Sequence, residues 1–315
     1  MTELVTPSDI VPETATDLLD LKASWLRHLR AANLRPKTIR GYGEAVGLFD
    51  AFLVEKGMPR VVADITSEHC EAFLEDQLAR WQPATAVARY SPLRGFFKWL
   101  VEEGEITASP MARMRKPKVP ERIVEIPTSD ALKAVLATCG RDYEGRRDEA
   151  ILRSFISTGC RLSELAGMRY TPTVAETNDV DLDNSQVRLM GTGGRERLSH
   201  LDRQAVKALD RYTRLRRARD DASSQWLWLG RKGKLTDSGI GQMVKQRGEA
   251  AGVDLHPHLF RNFYAHRQLA RGMSEGDLMT LAGWRSREMV SRYAAASRTD
   301  RALASARRLS ADDEI

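Results

Sequence analysis

At 315 residues the chain is longer than one hydrophobic core usually organises, because domains cluster at roughly 100 to 200 residues, so two domains are expected. Hydrophobic residues make up 42%, a globular composition, and no stretch approaches the ~18 unbroken apolar residues of a membrane helix, which argues for a soluble protein. The net charge of +6, from 49 Lys and Arg against 43 Asp and Glu, admits a nucleic-acid partner without establishing one.

Met1 to Thr16 carries three acidic residues and no basic ones, unlike a secretory signal, so a cytoplasmic protein is expected. Cys70, Cys139 and Cys160 are far apart and form no CxxC pair, which fits a reducing compartment without structural zinc. Basic residues cluster in Met111–Lys118 and Arg211–Arg219. Such runs are either solvated helix faces or, where they flank a site, tracks for phosphates.

From Asp17 to Leu29, Leu18, Leu21, Trp25, Leu26 and Leu29 recur at helical spacing, which predicts an amphipathic helix. A second helix is predicted over Thr38–Lys56, closed by Gly57, and two more over Ser67–Leu78 and Pro83–Val101. These form an N-terminal four-helix bundle. Gly104 to Pro127 is rich in proline and basic residues and lacks periodicity, the composition of an exposed connector. Beyond it, helices are predicted over Ser129–Cys139, Arg147–Ser157 and, after a turn at Gly159, Ser163–Met168. Gln186–Met190, Gly191–Gly194 and Arg197–Leu201 read as strand, tight turn and strand. Helices resume over Asp202–Arg219, Asp237–Ala251, His258–Arg271, Ser274–Ala282 and Arg287–Ala295. The fold class is therefore mainly α, with a small β-hairpin in the second domain.

Three segments carry side chains suited to phosphate chemistry. In TGCRLSEL (158–165), a glycine turn delivers Arg161 to a helix start where free amides and a guanidinium converge on an anion, while Glu164 can cap that helix or hold the guanidinium. Taken alone, the motif reads first as a plain capping salt bridge at a helix start. In HPHLFR (256–261), Pro257 suits a first helical position, and His258 and Arg261 share a face. The arginine can neutralise a phosphoryl oxygen while the histidine moves a proton near neutral pH. His256, His258 and His266 suggest a metal only weakly, since no carboxylate or cysteine sits at helical spacing to complete a ligand set. In the last segment, Gly283-Trp284 breaks a helix and Tyr293 follows in the next one.

The order of these features, TGCRLSEL, the hairpin GTGGRER (191–197), HPHLFR, LAGW (281–284) and Tyr293, resembles the tyrosine recombinases, also called the phage integrase or Xer family. The resemblance runs from about Asp17 to Ala296. It implies an N-terminal core-binding (SAM-like) domain and a catalytic domain that close on DNA from opposite sides. It also implies that Tyr293 is the nucleophile forming a 3′-phosphotyrosyl bond, that Arg161 and Arg261 grip the scissile phosphate, that His258 exchanges protons, and that Trp284 packs or donates a hydrogen bond. Neither metal nor nucleotide cofactor is then required, because two arginines stabilise the transition-state charge and the phosphotyrosine conserves the energy for rejoining.

The sequence departs from the family's Gly-Lys-Gly-x-Lys-x-Arg turn, whose first lysine protonates the departing 5′ oxygen. Thr192 stands at that position and Arg195 at the second lysine. Arg195 is the candidate substitute: either the turn is rearranged so that Arg195 or Arg197 enters the site, or the acid comes from elsewhere, or the enzyme is slow or inactive. Asn262 replaces a common histidine.

The resulting expectation is a site-specific recombinase for integration or excision of a mobile element, or for Xer-like resolution, acting on double-stranded DNA as a homotetramer. The alternative is a catalytically impaired DNA-binding clamp of the same fold. The expected division is a flexible terminus (1–16), a core-binding domain (17–103), a linker (104–126), a catalytic domain (127–298) and a tail (299–315). In that tail, Leu303, Ala306 and Leu309 form a helical stripe suited to docking on a neighbouring subunit.

Overall fold

A computed structural model describes residues 17–120, 125–171, 174–191, 194–284 and 286–291. Thr192, Tyr293 and the whole of 299–315 lie outside the described residues. The chain divides into two compact units, Met1–Arg122 and Ile123–Ile315.

The first unit is helical: α1 (Leu18–Ala31), α2 (Pro36–Glu55), α3 (Ser67–Arg80) and α4 (Pro83–Glu102). Local chemistry sets the helix starts. Asp17 accepts from the Leu19 amide at 2.8 Å, and proline occupies the first position of α2 and α4, where its missing N–H costs nothing. A capping box joins Thr66 to His69 at the head of α3. Leu18, Trp25, Val46, Phe49, Phe73, Phe96 and Phe97 fill the core, and Phe49 meets the Phe73 ring edge-on at 5.2 Å.

The Pro-rich connector departs from its exposed reading. Met111 is fully buried against this helical core, and the Tyr90 hydroxyl donates to the Met114 carbonyl at 2.8 Å. One long apolar side chain just ahead of the exposed Arg113 and Arg115 pins the segment without any periodic pattern to announce it.

The second unit contains α5 (Ser129–Ala137), α6 (Tyr143–Thr158), α7 (Leu162–Ala166), α8 (Arg203–Arg217), α9 (Asp237–Ala250), α10 (Pro257–Ala270) and α11 (Glu275–Ala282). Its strands are β1 (Val180–Asp181), β2 (Gln186–Met190), β3 (Glu196–His200), β4 (Leu229–Gly230) and β5 (Gly233–Lys234). The predicted hairpin is thus two strands of a three-stranded antiparallel sheet of order β1-β2-β3, with Leu189 opposite Arg197. Helix α6 starts earlier than predicted, because Asp142 caps it by accepting from the Gly145 amide at 3.1 Å.

Ile151, Phe155, Leu189, Leu209, Trp228 and Phe260 belong to the main core, where the Trp228 indole donates to the Leu165 carbonyl at 2.8 Å. A smaller cluster holds Tyr264, Leu278, Trp284 and Val290. The basic run 211–219 is only partly a surface feature. Arg216 is buried and donates to the carbonyls of Ala222, Ser224, Trp226 and Leu227, so its charge holds a loop.

Candidate active site

Helix α6 ends at Gly159, which adopts the left-handed conformation at φ +58°. A Cβ there would lie 2.6 Å from the Tyr264 ring, so both backbone and space require glycine. Two residues later Arg161 stands at the head of α7. Both sequence readings of Glu164 hold together: one oxygen accepts from the Arg161 amide at 2.8 Å and the other from Arg161 Nη1 at 2.7 Å.

Glu164 also binds a second arginine from a distant element. Arg197 on β3 donates from Nη1 to Oε1 at 2.8 Å and from Nη2 to Oε2 at 2.7 Å. The Glu164 side chain is 1% exposed. Burial by itself raises its pKa, but the hydrogen bonds and charges of Arg197 and Arg161 outweigh that and hold the carboxyl below its usual value.

Helix α10 begins with Pro257 at its first position and carries His258 and Arg261 one turn apart. Arg261 is buried and donates from Nη1 to the Gly159 carbonyl at 2.8 Å and from Nη2 to the Ala282 carbonyl at 2.5 Å. Its guanidinium lies 4.9 Å from the Trp284 ring centroid. Arg161 Nη2 donates to the next carbonyl, Gly283, at 3.2 Å. The two arginines, 100 positions apart in the sequence, therefore reach adjoining peptides at the end of α11.

The His256 and His258 rings are parallel, with centroids 6.5 Å apart. Partial burial, the Arg261 charge and His256 together lower the His258 pKa, which favours neutral imidazole at pH 7. Among the described residues, no group of three or more His, Cys, Asp or Glu is placed to hold a metal ion.

Arg161, Arg195, Arg197, Gly283, Trp284 and Ser286 line a cleft of about 500 Å³. Arg195 is exposed, and its carbonyl accepts from the Gly191 amide at 2.7 Å to close the turn. The structure thus brings Arg161, Arg261, Trp284 and the hairpin arginines together, with His258 on the helix of Arg261. Helical backbone resumes over 287–291, just before Tyr293, which is outside the described residues. The Arg197–Glu164 pair was not legible in the sequence, because the two residues lie 33 positions apart on different elements.

Residues 23–104 match the Phage integrase, N-terminal SAM-like domain, and residues 127–299 match the Phage integrase family. Tyrosine recombinase XerC of Roseiflexus castenholzii is 32% identical over 272 residues, covering 82% of this chain and 83% of the relative. Among solved structures, the XerH site-specific recombinase in its post-cleavage complex with palindromic difH substrate aligns with a TM-score of 0.70 at 15% identity, covering 90% of this chain and 84% of that one. A lambda integrase tetramer bound to a Holliday junction gives 0.67 at 18% identity, covering 89% and 78%. With both of its parts matched and a relative of this identity spanning most of its length, the chain belongs to the phage integrase family of tyrosine recombinases.

Proposed function

We propose that the protein is a site-specific recombinase in which Tyr293 attacks a backbone phosphate of double-stranded DNA held by Arg161 and Arg261. The observation that carries this reading is the convergence of those two guanidinium groups on the Ala282 and Gly283 carbonyls, with Trp284 against Arg261. Two fixed cations suit the charge that builds on the non-bridging oxygens during attack. As the Tyr293 oxygen bonds to phosphorus, the bond to the 5′ oxygen breaks, leaving a 3′-phosphotyrosyl linkage and a 5′ hydroxyl. Tyr293 loses a proton and the 5′ oxygen gains one. Neutral His258 accepts the first, and Arg195, the proposed stand-in for the family's lysine, gives the second to the departing oxygen and regains a proton from solvent. The reverse attack by a 5′ hydroxyl rejoins the strand, so neither ATP nor a metal enters the scheme.

Exchange of two duplexes needs a tetramer on DNA, and the DNA-bound state of the neighbouring folds supports that assembly here. Mobile-element integration or excision, or Xer-like resolution, is the genetic role in view. The expected division into core-binding domain, linker, catalytic domain and docking tail belongs to the same proposal. A clamp without chemistry is the less favoured reading, since Arg161, His258, Arg261 and Trp284 are all present at the site.

The test is covalent trapping on a nicked duplex of the element's junction DNA, with chelator present. A denaturation-resistant adduct that forms with the wild type and disappears in Tyr293→Phe is expected. Its absence while DNA binding persists would overturn the reading.

A further inference from the structure

Three arginines from three elements hold the C-terminal end of α11. Arg197 Nε donates to the Leu281 carbonyl at 2.9 Å, Arg261 Nη2 to Ala282 at 2.5 Å and Arg161 Nη2 to Gly283 at 3.2 Å. The last carbonyls of a helix lack intrahelical donors and sit at its negative pole, so cations there satisfy both needs. The chain leaving this end runs through Trp284 and reaches Tyr293 ten residues after Gly283.

Arg197 differs from Arg161 in how its guanidinium is used. Each of its three nitrogens has a protein acceptor: Nε the Leu281 carbonyl, and Nη1 and Nη2 the two oxygens of Glu164. Its side chain is 13% exposed, against 37% for Arg161. The planar fork matches the carboxylate edge to edge, a geometry that lysine does not reproduce. The bidentate pair commits both terminal nitrogens to Glu164, and although burial lowers the Arg197 pKa, that pairing outweighs it and holds the pKa above its ordinary value, which makes Arg197 a still poorer acid.

We propose that Arg197 is a positioning residue for strand cleavage. It ties the Glu164–Arg161 unit to the end of α11 and so sets where the segment bearing Tyr293 begins. It also shares the Glu164 charge, so that Arg161 does not neutralise that carboxylate alone and keeps its attraction for the scissile phosphate. Arg197 takes no part in protonating the 5′ oxygen. This inference deepens the recombinase reading and rests on it.

The experiment measures single-turnover adduct formation by the full-length wild type, Arg197→Ala and Arg197→Lys, with DNA affinity titrated separately. Two nicked duplexes are used, one with the normal bridging oxygen and one with a bridging 5′ sulfur, whose thiolate departs without a proton. Misplacing a reacting group by an ångström costs on the order of 100-fold, so the rate constant of Arg197→Ala should fall by about that factor on both substrates. Arg197→Lys, which restores a charge but only part of the bonding, should fall in between. Rescue of Arg197→Ala by sulfur would overturn the proposal by making Arg197 the leaving-group donor. A reduced burst amplitude with an unchanged rate constant would overturn it too, showing only lost folded protein. If the wild type forms no adduct, or Tyr293→Phe still forms one, the failure lies in the recombinase reading instead.

Discussion

The guanidinium of Arg261 lies over the indole of Trp284, 4.9 Å from the ring centroid, while its Nη1 and Nη2 hold the carbonyls of Gly159 and Ala282. Trp284 therefore forms the floor under a proposed phosphate-binding charge and is also part of a small buried cluster with Leu278 and Val290. Trp284→Phe keeps a ring face and should lose only part of the about 0.5–2 kcal/mol that a cation–π contact contributes. Trp284→Ala opens a cavity as well and should cost about 3–5 kcal/mol in chemical denaturation. Equal effects from the two changes would show that the ring face contributes nothing.

Glu164 pairs with two arginines from inside the protein, and its removal should be felt in stability before it is felt in DNA binding. Breaking a buried pair by deleting one partner costs about 3–5 kcal/mol, and Glu164→Gln should destabilise by a value toward the low end, because Arg161 is partly exposed. The pH dependence has a fixed sign. The folded carboxyl lies below its ordinary value of 4.5, so its contribution is fully present above pH 4.5 and is lost as pH falls through the lower folded value. The stability gap between wild type and Glu164→Gln, followed by urea unfolding, should be constant above pH 4.5 and narrow below it.

The acid limb of cleavage should belong to His258. Partial burial, Arg261 and His256 hold its pKa below 6.5, so the neutral base should survive to a lower pH than for a free histidine. Removing the His256 contribution in His256→Ala should move the limb up toward 6.5, whereas His258→Gln should abolish it. Single-turnover rates across pH 5–8 check both; a limb that does not move in His256→Ala would separate the two rings functionally.

Arg195, exposed at the cleft, is the proposed stand-in for the missing lysine. Its removal in Arg195→Ala should slow cleavage of the ordinary substrate by about 100-fold, the lower end of acid-catalytic contributions, because arginine is a poor acid. With a bridging 5′ sulfur the loss should disappear. Arg195→Lys should equal or exceed the wild type on the oxygen substrate.

Gly159 should tolerate no side chain. At φ +58° a Cβ costs about 1–2 kcal/mol, and the Tyr264 ring stands 2.6 Å from where it would sit. Thermal unfolding of Gly159→Ala should show a loss greater than the backbone cost alone, together with slower cleavage, because the Gly159 carbonyl orients Arg261.

The sequence alone determined the parts that depend on neighbours along the chain. Apolar spacing located the helices. Pro83 and Pro257 marked helix starts, Gly159 and Gly283 marked turns, and Glu164 lay within reach of Arg161 because three residues make nearly one turn. The ordered motifs identified the family. Tertiary structure decided how chemically equivalent side chains were used. Arg197 turns inward to Glu164, Arg195 stays exposed and Arg216 is buried under a loop, although all three are arginines. Nothing local distinguishes them, because their acceptors include Glu164, 33 positions from Arg197, and the Leu281 carbonyl, 84 positions away. Strand β1, at two residues, was too short to show alternation, and Met111 is buried only because the helical core of the first unit offers it space. Periodicity reports which face of an element is apolar; which partner meets a given charge is fixed only when distant elements pack and leave a buried carboxylate or carbonyl that must be satisfied.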